Sequence, residues 1–117
     1  MAKLLIVDDE EKIREVVREY AEFEGYEVSE AEDGREAVSL CRIEDFDLII
    51  MDIMMPKLDG IRTTLKIREN SNIPIIILSA KTEDADKILG LNIGADDYVA
   101  KPFNPLELVA RVNSQIR

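Results

Sequence analysis

The sequence predicts an α/β fold in which a five-stranded parallel sheet carries helices on both faces. Five short segments with strand character alternate along the chain with five segments of helical pattern. Two of the strand segments, residues 48–51 and 75–78, are apolar throughout, which is typical of strands buried on both faces. This alternation favours right-handed crossovers and a doubly wound sheet of strand order 2-1-3-4-5, with its switch point between the first and third strands.

The five strand segments and five helix segments follow one another without a repeat, a linker or a low-complexity stretch. The predicted strands are residues 3–7, 26–28, 48–52, 74–78 and 97–100. The predicted helices are residues 13–21, 34–41, 61–70 and 82–93, followed by a last helix that begins near residue 105 and runs to the end of the chain.

Local sequence signals mark several helix ends. Asp33 and Glu36 are spaced as a capping box, and Asn104 with Pro105 and Glu107 combines an N-cap, a first-turn proline and a returning glutamate. Gly25 and Gly94 are placed as helix C-terminal stops. These signals support the alternating pattern independently of hydrophobicity.

Length and composition indicate one globular domain that spans residues 1–117. Apolar residues make up 46% of the chain and charged residues 34%, the balance of an ordinary soluble domain. No apolar run approaches the roughly 20 residues of a membrane span, and no signal segment opens the chain. The single cysteine, Cys41, excludes an internal disulfide and fits a reducing cytoplasm.

The charge balance excludes several classes of function. The formal net charge of −10 would be repelled by a phosphate backbone, so this domain alone is not expected to bind nucleic acid. The chain contains no histidine, which excludes histidine-based triads and histidine metal sites. Chemistry must therefore come from carboxylates, hydroxyls and lysines.

Reactive side chains stand where four of the predicted strands end. Asp8 and Asp9 follow the first strand, Asp52 ends the third, and Ser79 and Lys101 follow the fourth and fifth. Because the carboxyl ends of parallel strands share one edge of the sheet, we expect these groups to be neighbours at the place where open α/β sheets bind ligands.

Three carboxylates at one switch point require a compensating charge. Each like-charged pair about 4 Å apart costs about 4 kcal/mol at an effective dielectric constant near 20. Either one carboxyl group is protonated or a cation lies among them. Oxygen ligands alone indicate a hard divalent ion, first of all Mg²⁺ with Mn²⁺ as a substitute, and Lys101 adds positive charge on the far side of Asp52. The set resembles a phosphoryl-transfer site with a carboxylate nucleophile.

Four motifs carry a resemblance to a known family. They are Val7-Asp8-Asp9, residues 52–60 (DIMMPKLDG), Ser79-Ala80, and residues 94–103 (GADDYVAKPF). In this order and spacing the chain resembles, along essentially its whole length, the receiver domain of bacterial two-component response regulators, whose fold is flavodoxin-like. The predicted strand order rests in part on this resemblance.

The resemblance implies a role for each site residue. Asp52 would accept a phosphoryl group from the phosphohistidine of a sensor histidine kinase. Asp8 and Asp9 would hold the metal ion together with Asp52 and the Met54 carbonyl, with Asp9 the more direct ligand. The phosphoryl oxygens would contact Ser79 and Lys101, and Tyr98 would turn inward when Ser79 moves. The bond between Lys101 and Pro102 is expected to be cis.

The sequence of residues 102–112 is similar to the corresponding segment of the OmpR/PhoB subclass of response regulators. Its members carry a C-terminal winged-helix DNA-binding domain, so we expect a truncated transcription regulator, with a stand-alone receiver as the alternative. The subclass dimerises on activation, with Lys87 pairing with Glu107 and Asp97 with Arg111 across the interface. The predicted interface consists of Lys87, Ile88, Leu91, Asp97, Glu107, Ala110 and Arg111.

Two other functions fit the fold less well. A carrier of flavin mononucleotide needs a glycine- and hydroxyl-rich phosphate loop after the first strand, where this chain has residues 8–11 (DDEE). A phosphatase of the haloacid dehalogenase type needs a second acid two residues after its nucleophile, where this chain has Met54. The sequence therefore favours a signalling receiver that is not a turnover enzyme.

Overall fold

A computed structural model of the chain describes residues 2–55, 59–79 and 92–116. Five parallel strands form one sheet in the order β2-β1-β3-β4-β5, which confirms the predicted topology. The strands are β1 (Lys3–Val7), β2 (Glu27–Ala31), β3 (Leu48–Asp52), β4 (Ile75–Ser79) and β5 (Asp97–Ala100).

Four helices lie within the described residues. They are α1 (Glu11–Phe23), α2 (Gly34–Ile43), α3 (Gly60–Arg68) and α4 (Pro105–Ile116). A fifth helix, predicted for residues 82–93, falls almost wholly outside the described residues. None of the helices in the described part of the chain has the length and apolar character needed to cross a membrane.

Side chains on the two faces of the sheet form two separate cores. On one face, alternate strand residues pack with Val17 and Ala21 of α1 and with Leu108 and Val112 of α4. On the other face, the intervening strand residues pack with Ala37 of α2 and Ile67 of α3. All residues of β3 and β4 are buried, as expected for central strands covered on both faces. The sheet is therefore doubly wound, as predicted.

The predicted N-caps at Asp33 and Asn104 and the stop at Gly25 are confirmed, whereas the helix predicted before Gly94 lies almost wholly outside the described residues. The Asp33 carboxylate accepts a hydrogen bond from the Glu36 amide at 2.9 Å, and the Asn104 side chain accepts one from the Leu106 amide at 2.9 Å. Gly25 and Gly94 have φ angles of 93° and 103°, a conformation that glycine adopts without strain. The cap of α3 by Asp59, which accepts from the Arg62 amide at 2.8 Å, was not predicted.

Candidate functional site

The strand register brings the predicted reactive groups to one edge of the sheet. Val7 pairs with Met51, Asp52 with Leu78, and Ser79 with Ala100. Asp8 and Lys101 follow directly on β1 and β5, so all four groups lie at the carboxyl ends of neighbouring strands. The strand register therefore agrees with the expectation that Asp8, Asp52, Ser79 and Lys101 are neighbours in space.

A lysine bridges two buried carboxylates at the centre of this edge. Lys101 Nζ lies 2.9 Å from Asp8 Oδ2 and 3.3 Å from Asp52 Oδ1. The exposed fractions are 0% for Asp8 and 2% for Asp52, whereas Asp9 is exposed to solvent. The lysine thus contacts both acids, so the expectation that its charge lies on the far side of Asp52 is wrong.

Burial dominates the ionisation of the central carboxyl group. Desolvation, reinforced by the negative charge of Asp8, raises the pKa of Asp52 from 3.8 to about 6. The charge and hydrogen bond of Lys101 act in the opposite direction, as does the Met54 amide, whose nitrogen lies 3.4 Å from Asp52 Oδ1. Burial also acts to lower the pKa of Lys101, but its hydrogen bond to Asp8 and the charge of Asp52 outweigh that effect and raise it.

An acidic cluster borders the buried pair. Carboxylate oxygens of Asp8, Asp9 and Glu10 lie within 4.8 Å of one another. Asp8 is also oriented locally, because its Oδ1 accepts a hydrogen bond from the Glu10 amide at 2.9 Å. Glu10 was not predicted to belong to the site, although the run of four acids at residues 8–11 was a visible signal.

The donor set is compatible with a hard divalent cation. Among the described residues, Lys101 contacts the carboxylates of Asp8 and Asp52, and a carboxylate oxygen of Asp9 lies within 4.8 Å of one on Asp8. Oxygen donors of this kind suit Mg²⁺ and Mn²⁺. Met54, whose carbonyl was predicted as a further ligand, has an exposed side chain and lies two residues after the end of β3.

Ser79 and Tyr98 lie on adjacent strands. Ser79 is buried at the end of β4, and Tyr98 is half-buried and packs against the core beneath α2 and α3. Tyr98 pairs with Ile77, two residues before Ser79, and the Lys101 amide donates to the Ser79 carbonyl at 2.7 Å. The bond between Lys101 and Pro102 is cis, as predicted.

The first turn of α3 packs directly behind Asp52. The Gly60 amide donates to the Ile53 carbonyl at 3.0 Å. A Cβ atom on Gly60 would lie only 2.1 Å from the Asp52 carbonyl oxygen and 2.7 Å from Ile53 Cα. The sequence showed a turn at Gly60 but gave no indication of this close approach.

The predicted interface residues are only partly described. Arg111 Nη1 contacts the two carboxylate oxygens of Asp97 at 2.9 and 3.0 Å, and its Nη2 contacts Glu107 at 3.2 Å, all within one chain. This arrangement differs from the predicted pairing of Asp97 with Arg111 between chains. Ala110 is exposed, as predicted, and borders a small cavity that α4 shares with α1. Lys87, Ile88 and Leu91 lie outside the described residues.

A doubly wound sheet with an aspartate, an acidic pair and a lysine at its carboxyl edge defines a class of phosphoacceptor-like signalling domains. Residues 4–113 match the response regulator receiver domain family. The chain belongs to that family, which confirms the resemblance inferred from its motifs.

Relatives of known role support the subclass. The chain is 50% identical over 114 residues to the response regulator GtcR of Aneurinibacillus migulanus, covering 97% of this chain and 47% of that protein. It is 47% identical over 115 residues to the transcriptional regulatory protein ResD of Bacillus subtilis, covering 98% and 48%. The chain therefore spans about half the length of the curated relatives it matches.

Solved structures agree with the fold. The receiver domain of the Francisella response regulator 1452 has a TM-score of 0.95 and 42% identity, with 99% of this chain and 97% of that chain covered. The chemotaxis protein CheY4 of Vibrio cholerae has a TM-score of 0.92 and 38% identity, with 97% and 98% covered. The chain is thus a receiver domain homologous to transcriptional response regulators.

Proposed function

We propose that Asp52 accepts a phosphoryl group from the phosphohistidine of a sensor histidine kinase. The observation that carries this proposal is the buried Asp52 carboxylate at the end of β3, held 3.3 Å from Lys101 and bordered by an acidic pair. An Asp52 oxygen forms a bond to phosphorus while the bond from phosphorus to the imidazole nitrogen breaks, and the electron pair stays on that nitrogen. Only the ionised carboxylate can act in this way.

The other site residues have supporting roles in this proposal. Asp8, Asp9, Asp52 and the Met54 carbonyl would hold Mg²⁺, or Mn²⁺ in its place, which would neutralise charge on the transferring phosphoryl group. Lys101 and the Ser79 hydroxyl bind phosphoryl oxygens. The domain accepts the group and later loses it by autodephosphorylation, so it is not a turnover enzyme.

A direct test is covalent loading by a small phosphoryl donor. We expect intact-mass measurement with acetyl phosphate and Mg²⁺ to show one phosphoryl group on the wild type and none on Asp52→Asn, because the nucleophile is lost. Asp9→Ala should load much more slowly, and EDTA should prevent loading. Asp45→Asn, at an exposed position, is the matched control. A phosphoryl adduct of the same yield on Asp52→Asn would refute the assignment.

The kinase is expected to dock beside this edge. A groove of about 620 Å³ is lined by Ile13 and Val16 of α1 and by Pro102 and Phe103, and Lys101 belongs to its wall. A donor histidine must approach Lys101 and Asp52 together, so a partner that delivers it covers this groove. The mainly apolar lining provides burial, and Lys12 at its edge is a site for a complementary acidic group.

Phosphorylation would act through a shift between two conformations. The phosphoryl oxygens draw Ser79 inward and Tyr98 fills the space that Ser79 leaves, which biases an existing equilibrium between the two conformations.

The output we propose is transcription, through a C-terminal winged-helix domain that follows this receiver in the complete regulator. A stand-alone receiver that acts through protein contacts is the second candidate, and an aspartyl-phosphate phosphatase is the third. The reaction takes place in the cytoplasm, and the receiver itself binds neither DNA nor membrane.

Activation is proposed to produce a symmetric homodimer through residues 82–93, β5 and α4. Its ion pairs would be Lys87 with Glu107 and Asp97 with Arg111 of the second chain. In the single chain Arg111 already contacts Asp97 and Glu107, so dimerisation exchanges existing pairs for equivalent ones. Exposed pairs contribute about 0.2–1 kcal/mol each, and two-fold symmetry makes each pair occur twice. The unphosphorylated protein should therefore be mainly monomeric.

Sedimentation with and without beryllofluoride tests the interface. We expect wild type to become dimeric on activation and Arg111→Glu to remain monomeric, because the reversed charge repels Asp97 and Glu107. Arg62→Glu is the matched control, since Arg62 lies on α3 with a side chain 75% exposed. Dimerisation of Arg111→Glu to the extent of wild type would show that a different surface is used.

A further inference from the structure

Arg68, the last residue of α3, makes an unusual number of contacts at the edge of the sheet opposite Asp52. Its Nε and Nη2 donate to the Gly94 carbonyl at 3.0 and 2.7 Å. Its Nη1 donates to the Ile73 carbonyl at 2.6 Å, and Nη2 also contacts Asp96 Oδ2 at 3.0 Å. One guanidinium group thus joins the end of α3, the segment before β4 and the segment before β5.

Asp96 extends this connection into the sheet. Its Oδ2 accepts from the Ile75 amide at 2.8 Å, and its own amide donates to the Ile75 carbonyl at 2.8 Å. Asp96 therefore fixes the first residue of β4 next to the start of β5. The pairing of Ile77 with Tyr98 and of Ser79 with Ala100 continues from that point.

The arrangement is more specific than a surface ion pair. The Arg68 side chain is 17% exposed, and its planar group lies against the backbone. Gly94 has a φ of +103°, and a Cβ there would lie 3.1 Å from Arg68 Nε, so the backbone approaches the guanidinium closely. A cation at a helix C-terminus typically interacts only with the last carbonyls of its own helix, which contributes about 0.3–1 kcal/mol. Arg68 instead contacts the backbone of two other segments.

We propose that Arg68 is a positioning residue for the Ser79–Tyr98 switch, and this inference rests on the proposed function. β4 ends on Ser79, and the connection to β5 returns to the sheet through Gly94 and Asp96. When Ser79 moves, it leaves space that the Tyr98 ring can fill, and the ring can enter that space only if the start of β5 stays in place. Arg68 and Asp96 hold the start of β5 against β4, so the Tyr98 ring turns and residues 94–96 do not shift instead.

A purely stabilising role makes a different prediction. In that case, loss of Arg68 would lower stability by the same amount with and without the activating ligand and would leave the response of Tyr98 unchanged. In a positioning role, the coupling between the phosphoryl site and Tyr98 falls, while events at Asp52 itself are preserved. Residues that carry coupling without touching either ligand typically change it by about 2- to 30-fold.

The experiment uses ¹⁹F NMR of protein labelled with 3-fluorotyrosine. The chain has three tyrosines, so Tyr98→Phe assigns the Tyr98 signal. With Mg²⁺ and beryllofluoride, the wild-type Tyr98 signal should move. In Arg68→Gln we expect that displacement to fall to about half or less, with loading by acetyl phosphate unchanged. Arg68→Lys, which keeps the charge facing Asp96, should restore part of it, and Arg62→Gln should resemble wild type.

Each outcome separates this inference from the proposed function. A full Tyr98 displacement in Arg68→Gln overturns the positioning role while leaving the switch intact. An immobile Tyr98 signal in the wild type overturns the switch itself. If Arg68→Gln does not fold, Asp96→Asn replaces it, because the amide oxygen still accepts from Ile75 whereas the ion pair with Arg68 is lost. An unreduced displacement in that variant equally refutes the inference.

Discussion

Asp52→Asn is expected to stabilise the metal-free protein at pH 7 by up to about 3 kcal/mol. The folded-state pKa of Asp52 is about 6, against an ordinary value of 3.8, chiefly because the carboxyl group is buried and faces Asp8. A difference of about two pKa units corresponds to about 3 kcal/mol. Asparagine has nearly the same shape and never ionises, so it avoids the cost of a buried negative charge. The attraction of Lys101 to the ionised carboxylate is already included in this pKa, so it is not subtracted again.

The sign of the pH dependence follows from the direction of the shift. Because the pKa of Asp52 is higher in the folded state, the folded protein binds this proton more tightly than the unfolded chain does. The stabilisation due to protonated Asp52 is complete below pH 3.8 and is lost as the pH rises through about 6. The stability of wild type should therefore fall relative to Asp52→Asn between these values and run parallel to it at higher pH.

Urea unfolding in EDTA between about pH 4.5 and pH 8 measures this difference. Asp45→Asn, which removes an exposed carboxyl group, controls for the change in net charge. Equal stability of Asp52→Asn and wild type across the whole range would contradict a buried, destabilising carboxylate. Added Mg²⁺ should reduce the advantage of asparagine, since a bound cation compensates the charge that burial penalises.

The sequence indicated which side chains would lie together because these residues stand at strand ends. An apolar strand such as residues 48–51 reveals its burial directly, and the residue that follows it must lie at the carboxyl edge of the sheet. Asp8, Asp52 and Lys101 were therefore expected to be neighbours before any distance was known. Burial of the first two and their contacts with Lys101 are consistent with that reasoning.

Contacts that depend on the direction of a side chain could not be predicted from the sequence pattern. Lys101 was expected on the far side of Asp52, whereas its amino group lies against Asp8. Arg111 can reach Asp97 in its own chain because β5 and α4 are adjacent, whereas the motif alone suggested a partner in another chain. Arg68 was not singled out from the sequence, since nothing in the sequence of its helix indicates that Gly94 approaches it.

Gly60→Ala is expected to damage both the fold and the site. By helix propensity alone, alanine would favour the first turn of α3. The added methyl group, however, would lie 2.1 Å from the Asp52 carbonyl oxygen and 2.8 Å from the Asp52 carbonyl carbon. Backbone atoms cannot rotate away as a flexible side chain can, so either α3 or the end of β3 must move. We expect a loss of about 3 kcal/mol or more, at the upper end of overpacking in cores.

A shift at the end of β3 should also slow the phosphorylation of Asp52. Asp52 ends β3, so a shift of its carbonyl moves the carboxylate relative to Lys101, and loading by acetyl phosphate should slow at least about tenfold. Thermal unfolding and intact-mass kinetics measure the two effects. Gly25→Ala is the control, because its methyl group would meet nothing within 4 Å and only its φ of +93° is unfavourable. It should lose about 1 kcal/mol and load normally. A Gly60→Ala protein that unfolds and loads like wild type would mean that α3 does not fix the position of Asp52.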